Sequence, residues 1–557
     1  MSHAAATPRA AGRPAGARGV DDRGSQLPGT PARLLESLGD RVNPILVKET
    51  RQALKSRQFV LWFVLLLVAS WVATIAAVAV IGPSIYYVSA GGYLLKVYYV
   101  ILCVPLVVVT PFSAYRSLAA EHEENTRDLI EVSTLTPRQV INGKLGSAAL
   151  QTLIYGSALA PCIAFTYLLR GVSLLQIGVL LAGAVLASVG LSAVGLLVAA
   201  GTRQKYAQVV MSVALAGGLF MALWAMLAWA WELLRYDTLD FRGPVYWAVT
   251  AVVLSLYATT LALVYAAAVS LTTFSSANRS TPLRLALLAQ QTVFVAWVAG
   301  GVAVGMPFSG LRGAFFVAAA YWFAAGAALC GEQPTLSHRV RRSLPQSLLG
   351  RALGSWLQPG GGSGYVFTVA NLAAVAVLTV LAGWLDPRAA GGAATELAVS
   401  VGLLVSYIVA YLGLGRLVVT ALRKVTEVSL LGCFLIQVLI ALAGSGLPYV
   451  VDTLTDRVRV ENLVWLNAMS PTWNLSALEE GAIGLDRGLT LLVTVGAAAL
   501  AIGLVNLTLA GREARQLRVG KPRRVVQDEL EQQPPPEAAP TNPWGDRPRS
   551  AGEAAGQ

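Results

Sequence analysis

Residues Leu118–Leu145 read LAAEHEENTRDLIEVSTLTPRQVINGKL, a charged island set between long apolar runs. Its first part carries Glu121, Glu123, Glu124, Asp128 and Glu131 with no glycine among them, and a second helix start follows. Thr136 can cap that helix, with Pro137 at its first position and Gln139 three residues past the cap, the pattern of a capping box with proline at N1. The helix then runs through Lys144 into an apolar run. The sequence therefore predicts a short surface element rigidly joined to a membrane helix, a lever in shape.

Outward from this island, the apolar runs are long enough to cross a bilayer, which takes about 20 residues as helix. They fall near 59–81, 94–115, 144–169, 173–201, 207–234, 245–273, 286–306, 311–330, 365–385, 397–420, 429–451 and 488–510. The predicted fold class is thus all-α, a polytopic integral membrane protein with about twelve transmembrane helices. Composition agrees: of 557 residues 55% are hydrophobic and 13% charged, with mean hydropathy +0.61, whereas a soluble protein carries about 25% charged residues.

The cations test the span count, because loops on the cytoplasmic side of a membrane are enriched in Lys and Arg. With the N-terminus inside, the inner segments hold Lys48, Arg51, Lys55, Arg57, then Arg116, Arg127, Arg138, Lys144, and later Arg279, Arg284, Arg339, Arg341, Arg342, Arg416, Arg423 and Lys424. The outer segments are sparser, with Lys96, Arg170, Arg235, Arg242, Arg312, Arg388, Arg457, Arg459 and Arg487. Both termini are therefore expected in the cytoplasm. The net charge of +12 follows from these flanks, which lack interleaved aromatics, so nucleic acid is not an expected partner and the lipid bilayer is.

Residues 1–40 are rich in Ala, Gly, Pro and Arg and read as a disordered cytoplasmic tail. Over 41–58 an amphipathic helix is predicted, capped by Asn43 before Pro44 and running to Arg57, with Leu46, Thr50, Ala53 and Leu54 on one face and Lys48, Arg51 and Lys55 opposite. It should lie on the membrane surface with its cations towards anionic headgroups. A first transmembrane part, 59–330, contains the loop 116–144. A basic cytoplasmic linker, 331–364, ends in Pro359-Gly360-Gly361-Gly362-Ser363-Gly364 and divides it from a second part, 365–510. No convincing internal repeat is visible. The basic flank and Pro-rich tail 511–557 read as disordered.

At the opening island the chain resembles the permease subunits of ABC-2-type ATP-binding cassette exporters, whose first cytoplasmic loop has an acidic stretch followed by Ser-Pro and Gly-Lys-Leu before the third span. Glu121, Glu123, Glu124, Thr126, Leu129, Pro137, Arg138, Gly143, Lys144 and Leu145 fall on that pattern. Asn125 stands where the family usually has Gly, and Asp128 where it usually has Glu. The resemblance also implies an entry helix before the first span and an outer hairpin before the last. The segment 462–483, with Trp465, Ser470, Pro471 and Trp473, is similar to that hairpin, Ser470 replacing an Asn. It is too short and too broken by Ser-Pro to span, and its tryptophans suit an interface.

The sequence has no G-x-x-x-x-G-K-[ST] phosphate loop, no Gly-x-Ser-x-Gly, and no His/Cys/Asp/Glu cluster with metal-ligand spacing, its histidines being His3, His122 and His338. No enzyme activity and no cofactor are expected in this chain. Cys103, Cys162, Cys330 and Cys433 lie in apolar runs and read as small buried hydrophobes. Glu232, near the end of the run 207–234, is the one candidate for an ionisable residue within a span, and Arg235 three residues on is placed to pair with it. Gln151, Gln290, Gln291, Asn371 and Gln437 read as interhelical hydrogen-bond partners.

What the resemblance implies is a permease that exports a substrate with energy from a separate ATPase dimer. That dimer would carry ATP and Mg, and the acidic stretch 121–129 with Pro137, Arg138, Gly143 and Lys144 would serve as the coupling loop. The permease would act as a homo- or heterodimer. Two other readings stand beside it: an ion-coupled secondary transporter, and a non-transporting membrane anchor of a complex.

Overall fold

A helix satisfies its backbone hydrogen bonds internally, which is why apolar chain in hydrocarbon adopts it. The computed structural model describes residues 43–82, 90–123, 135–202, 204–236, 243–273, 277–333, 355–386, 392–454 and 467–516, with positions 524, 527, 528 and 531. Among the described residues there are helices and no strands, and twelve helices are long and apolar enough to cross a membrane. We number them as spans: Arg57–Val80, Gly91–Glu121, Pro137–Leu168, Leu174–Gly201, Lys205–Arg235, Pro244–Thr272, Ser280–Val304, Phe308–Leu329, Gly361–Leu385, Ala393–Leu422, Leu430–Pro448 and Leu485–Glu513. Each falls on one of the apolar runs of the sequence. The chain is an all-helical, multi-pass membrane protein.

Several expectations fall outside the described residues: the tail 1–40, Glu124, Thr126, Asp128 and Leu129 of the acidic stretch, most of the linker 331–364, Trp465, and nearly all of 517–557. Glu123 ends the helix Thr110–Glu123.

The amphipathic helix is Pro44–Lys55, capped by Asn43, whose side chain accepts from the Ile45 amide at 3.1 Å. It stops two residues earlier than the sequence reading. Ser56 takes an extended conformation, and its hydroxyl accepts from Phe59 N–H at 3.1 Å, so one residue ends the surface helix and caps the first span. Lys48, Arg51 and Lys55 are exposed, while Leu46, Thr50, Ala53 and Leu54 are half-buried, as the periodicity requires.

The second span is continuous but not uniformly α-helical. Pro105 cannot donate to the helix ladder, and over Val104–Val109 the backbone widens to a π turn in which Thr110 N–H reaches back to the Pro105 carbonyl. The Thr110 hydroxyl donates to the same oxygen at 2.9 Å.

Successive spans alternate in direction. Starts of odd-numbered and ends of even-numbered spans therefore share one face, and the short helix Pro471–Glu479 lies at the other. Helix packing forms two groups. The second span packs against the first, third, fourth and fifth, and the fourth against the third, fifth and sixth. The tenth span packs against the eighth, ninth, eleventh and twelfth. The principal contact between the groups is between the sixth and seventh spans. By packing, then, the boundary lies at 273–279, whereas linker composition marks 331–364. Large apolar side chains such as Leu61, Trp71 and Ile75 of the first span, and Met221 and Trp224 of the fifth, remain exposed, as a lipid-facing surface requires.

Candidate functional site

The third span begins as its sequence signals. Thr136 Oγ1 accepts from Gln139 N–H at 3.3 Å and Gln139 Oε1 accepts from Thr136 N–H at 2.8 Å, a complete capping box with Pro137 at the first helical position. From there a single helix runs to Leu168. Arg138 is exposed beside the cap.

Against its first turns lies the amphipathic helix. Asn43 Nδ2 donates to the Gln139 carbonyl at 2.5 Å, joining the two helix starts. Gly143 permits the approach that follows: a Cβ there would sit 2.6 Å from Ile45 Cγ2 and 3.0 Å from Leu46 N. Gly146 has the same role one turn on, where a Cβ would meet Leu46 Cδ1 at 2.9 Å.

This close seat places Glu49 over Lys144. The Lys144 side chain is almost wholly buried, and its Nζ makes ion pairs with Glu49 Oε1 at 2.9 Å and Glu121 Oε1 at 2.7 Å. It also donates to the Ser117 carbonyl at 3.1 Å. An ammonium has three donors, and all three are used. The carboxylates keep 13% and 19% of their side-chain exposure, so the cluster is anchored inside and open to water on its acidic side. One side chain thereby ties the surface helix, the end of the second span and the start of the third. Beside it, a cavity of about 280 Å³ is lined by polar groups including Gln52, Ser113, Ser117, Ser147 and Gln151.

Two further buried cations lie on the same face. Arg284, fully buried near the start of the seventh span, pairs with Glu332 Oε2 at 2.8 Å and donates to Ser363 Oγ at 3.2 Å and to the Trp356 carbonyl. Ser280 donates to the same carboxylate, 2.8 Å from Oε2. Arg416, in the tenth span, pairs with Glu513 at 2.7 Å and donates to Asn506 O at 2.9 Å and Oδ1 at 3.1 Å. Sequence reading counted both arginines as loop cations and missed their acids. The available signal was that Arg416 falls inside the run 397–420, where a charge needs a partner.

On the opposite face, Ser470 caps the helix Pro471–Glu479 by accepting from Trp473 N–H at 3.3 Å, and donates to the Ser445 carbonyl of the eleventh span at 3.0 Å. Tyr407 and Tyr411, near the middle of the tenth span, donate to the carbonyls of Ala468 and Met469. Asn474 is buried and donates to Tyr407 Oη, Asn467 O and Ser470 O at 2.7–2.9 Å. The tip of this segment thus reaches the level of mid-span side chains, which satisfy its irregular backbone as hydrocarbon demands. Tyr407, Tyr411 and Asn474 were not singled out from the sequence.

Of the expected polar partners, Gln290 donates across to Thr260 Oγ1 at 2.8 Å and Gln437 to the Leu412 carbonyl at 3.3 Å. Asn371 instead donates within its own helix, to Phe367 O. Glu232 and Arg235 are both exposed, near the end of the fifth span. The four cysteines are free, three of them buried.

Fold and clusters together define a helical, multi-pass membrane protein whose three most buried ion-paired cations, Lys144, Arg284 and Arg416, lie at one face. No family model matches the chain, and neither a curated protein nor a solved structure matches it.

Proposed function

We propose that this chain is the membrane-spanning permease subunit of an ABC-2-type exporter in a bacterial inner membrane, driven by a separate ATPase that binds ATP and Mg. The observation that carries the reading is the Lys144 cluster. The acidic segment enters the third span through the Thr136 cap, and eight residues into that 32-residue helix Lys144 joins it to Glu121 of the second span and Glu49 of the surface helix. A push delivered to the segment before Thr136 is then carried by one continuous helix into the membrane and shared with two neighbours. The ATPase docks on the acidic segment, and the exposed cations Lys48, Arg51 and Lys55 hold the surface helix against anionic headgroups.

The purified chain alone should not hydrolyse ATP and should stimulate its co-purifying ATPase. Replacing Glu123 and Glu124 together by Ala removes two charges from the docking segment and should alter stability by under about 0.5 kcal/mol, while ATPase association or coupling falls several-fold. Membrane abundance, co-purification and hydrolysis distinguish the two effects. Unchanged association and stimulation in that variant would remove the main support for this function.

In this reading the clustered face is cytoplasmic and the Pro471–Glu479 helix is outside. A single cysteine at position 456 should react with an impermeant thiol reagent added from outside. Reaction only after the membrane is opened would reverse the orientation.

A further inference from the structure

The two packing groups are the same six-helix arrangement made twice. In the first group the packed span pairs are first with second and third; second with third, fourth and fifth; third with fourth and sixth; and fourth with fifth and sixth. In the second group they are seventh with eighth and ninth; eighth with ninth, tenth and eleventh; ninth with tenth and twelfth; and tenth with eleventh and twelfth. Each pair in one group has its counterpart in the other, with the spans running in the same directions. The additions differ: the first group has the surface helix Pro44–Lys55, the second the short helix Pro471–Glu479.

Two of the three charge clusters, those of Lys144 and Arg284, obey the same correspondence. The Lys144 cluster joins three places: the helix leading into the first span of its group (Glu49), the end of the second (Glu121 and the Ser117 carbonyl) and the start of the third (Lys144). The Arg284 cluster joins the start of the seventh span (Arg284, Ser280), the third residue past the end of the eighth (Glu332) and the start of the ninth (Ser363). The Gly360 N–H, at the entrance to the ninth span, also donates to Glu332 at 3.4 Å. The cation has moved from the third helix of the unit to the first, and the acid has stayed at the end of the second.

We propose that the Arg284–Glu332–Ser363 cluster is a second coupling site, the counterpart of the Lys144 cluster, so that one chain carries both coupling ends and seats two ATPase subunits. This rests on the ABC-2 reading. The working assembly is then one twelve-span chain with two ATPases, without a second permease copy. A buried charge cluster at the end of the eighth span fixes that end to the seventh and ninth, so motion received there moves three helices together, as in the first unit.

Mass measurement of the full chain in nanodiscs, alone and with its ATPase held in an ATP-bound, non-hydrolysing form, tests the assembly. One chain alone, and one chain with two ATPases, are expected. Two chains in either particle would overturn the second coupling site while leaving the ABC-2 reading intact. No bound ATPase at all would overturn that reading, and this proposal with it. Glu332→Gln, at wild-type membrane abundance, should lower ATPase stimulation as Glu121→Gln does, and unchanged stimulation would make the cluster a structural tie only. Should Glu332→Gln fail to accumulate, Ser363→Ala carries the same test, since it removes hydrogen bonds from Arg284 and no charge.

Discussion

Lys144→Met is expected to lower the stability of the chain by about 3–5 kcal/mol, the usual cost of stripping a buried charge of its partner. The methionine fits the space, so the loss does not come from a cavity. It comes from Glu49 and Glu121, which now share one site without the ammonium that lay 2.9 and 2.7 Å from them. Two facing carboxylates repel each other, and one would turn to water. The triple variant Lys144→Met, Glu49→Gln, Glu121→Gln should recover most of the loss, because replacing a buried ionic cluster by neutral groups is close to neutral overall. Thermal unfolding in detergent measures both. Should the single variant melt like the wild type, the ammonium is not held between the two acids and the third span is not tied to its neighbours.

The span count, the capping box at Thr136 and the face of the surface helix were legible because each depends on local chemistry. A run of some 20 apolar residues needs a helix, and a Thr-Pro-x-Gln start satisfies its own backbone. What the sequence hid was tertiary. Nothing in Gly143 or Gly146 announces that Ile45 and Leu46 sit on them, since any small residue in a helix permits a neighbour without naming it. Lys144 looked like a flanking cation because its partners stand about 95 and 23 residues away along the chain, at Glu49 and Glu121. The duplication was hidden for the same reason: spans pack through small and apolar faces that many sequences provide, so the arrangement repeats while the residues do not. The hairpin was partly visible through Ser470 and Pro471, but the side chains that hold its tip, Tyr407 and Asn474, lie in stretches where tyrosine and asparagine are unremarked.

The buried charges also bear on the ion-coupled alternative. A transporter driven by protons or sodium keeps ionisable groups near the bilayer middle, on the path of the ion. Here Lys144 lies eight residues into its helix, Arg284 five residues into its own and Arg416 seven from the end of its own, all on one face and each paired with an acid. Such groups act as struts, and struts suit a protein that passes on force received at that face.

Arg416 is the severest case of a strut, and its removal should produce the second large effect with a different signature. The side chain is 1% exposed, and its two terminal nitrogens serve three acceptors: Asn506 O, Asn506 Oδ1 and Glu513 Oε1. Glu513 in turn accepts from Gly362 N–H at 2.8 Å, so the tenth, twelfth and ninth spans meet at one guanidinium. A Cβ at position 362 would stand 2.7 Å from Ala510 Cα, which keeps that amide within reach of the carboxylate. Arg416→Met leaves Asn506 O and Oδ1 without the guanidinium and Glu513 with the Gly362 N–H but no countercharge, and should cost about 3–5 kcal/mol. Arg416→Lys should recover only part, because a single ammonium cannot reproduce the fork that reaches Asn506 and Glu513 together. Glu513→Gln should be the mildest of the three: the amide oxygen can still accept, and this side chain keeps 28% exposure. The order of unfolding temperatures, with Glu513→Gln highest and Arg416→Met lowest, is the measurement. An Arg416→Lys variant as stable as the wild type would mean that charge alone suffices there, and that the three helices are not fixed by the geometry of the guanidinium.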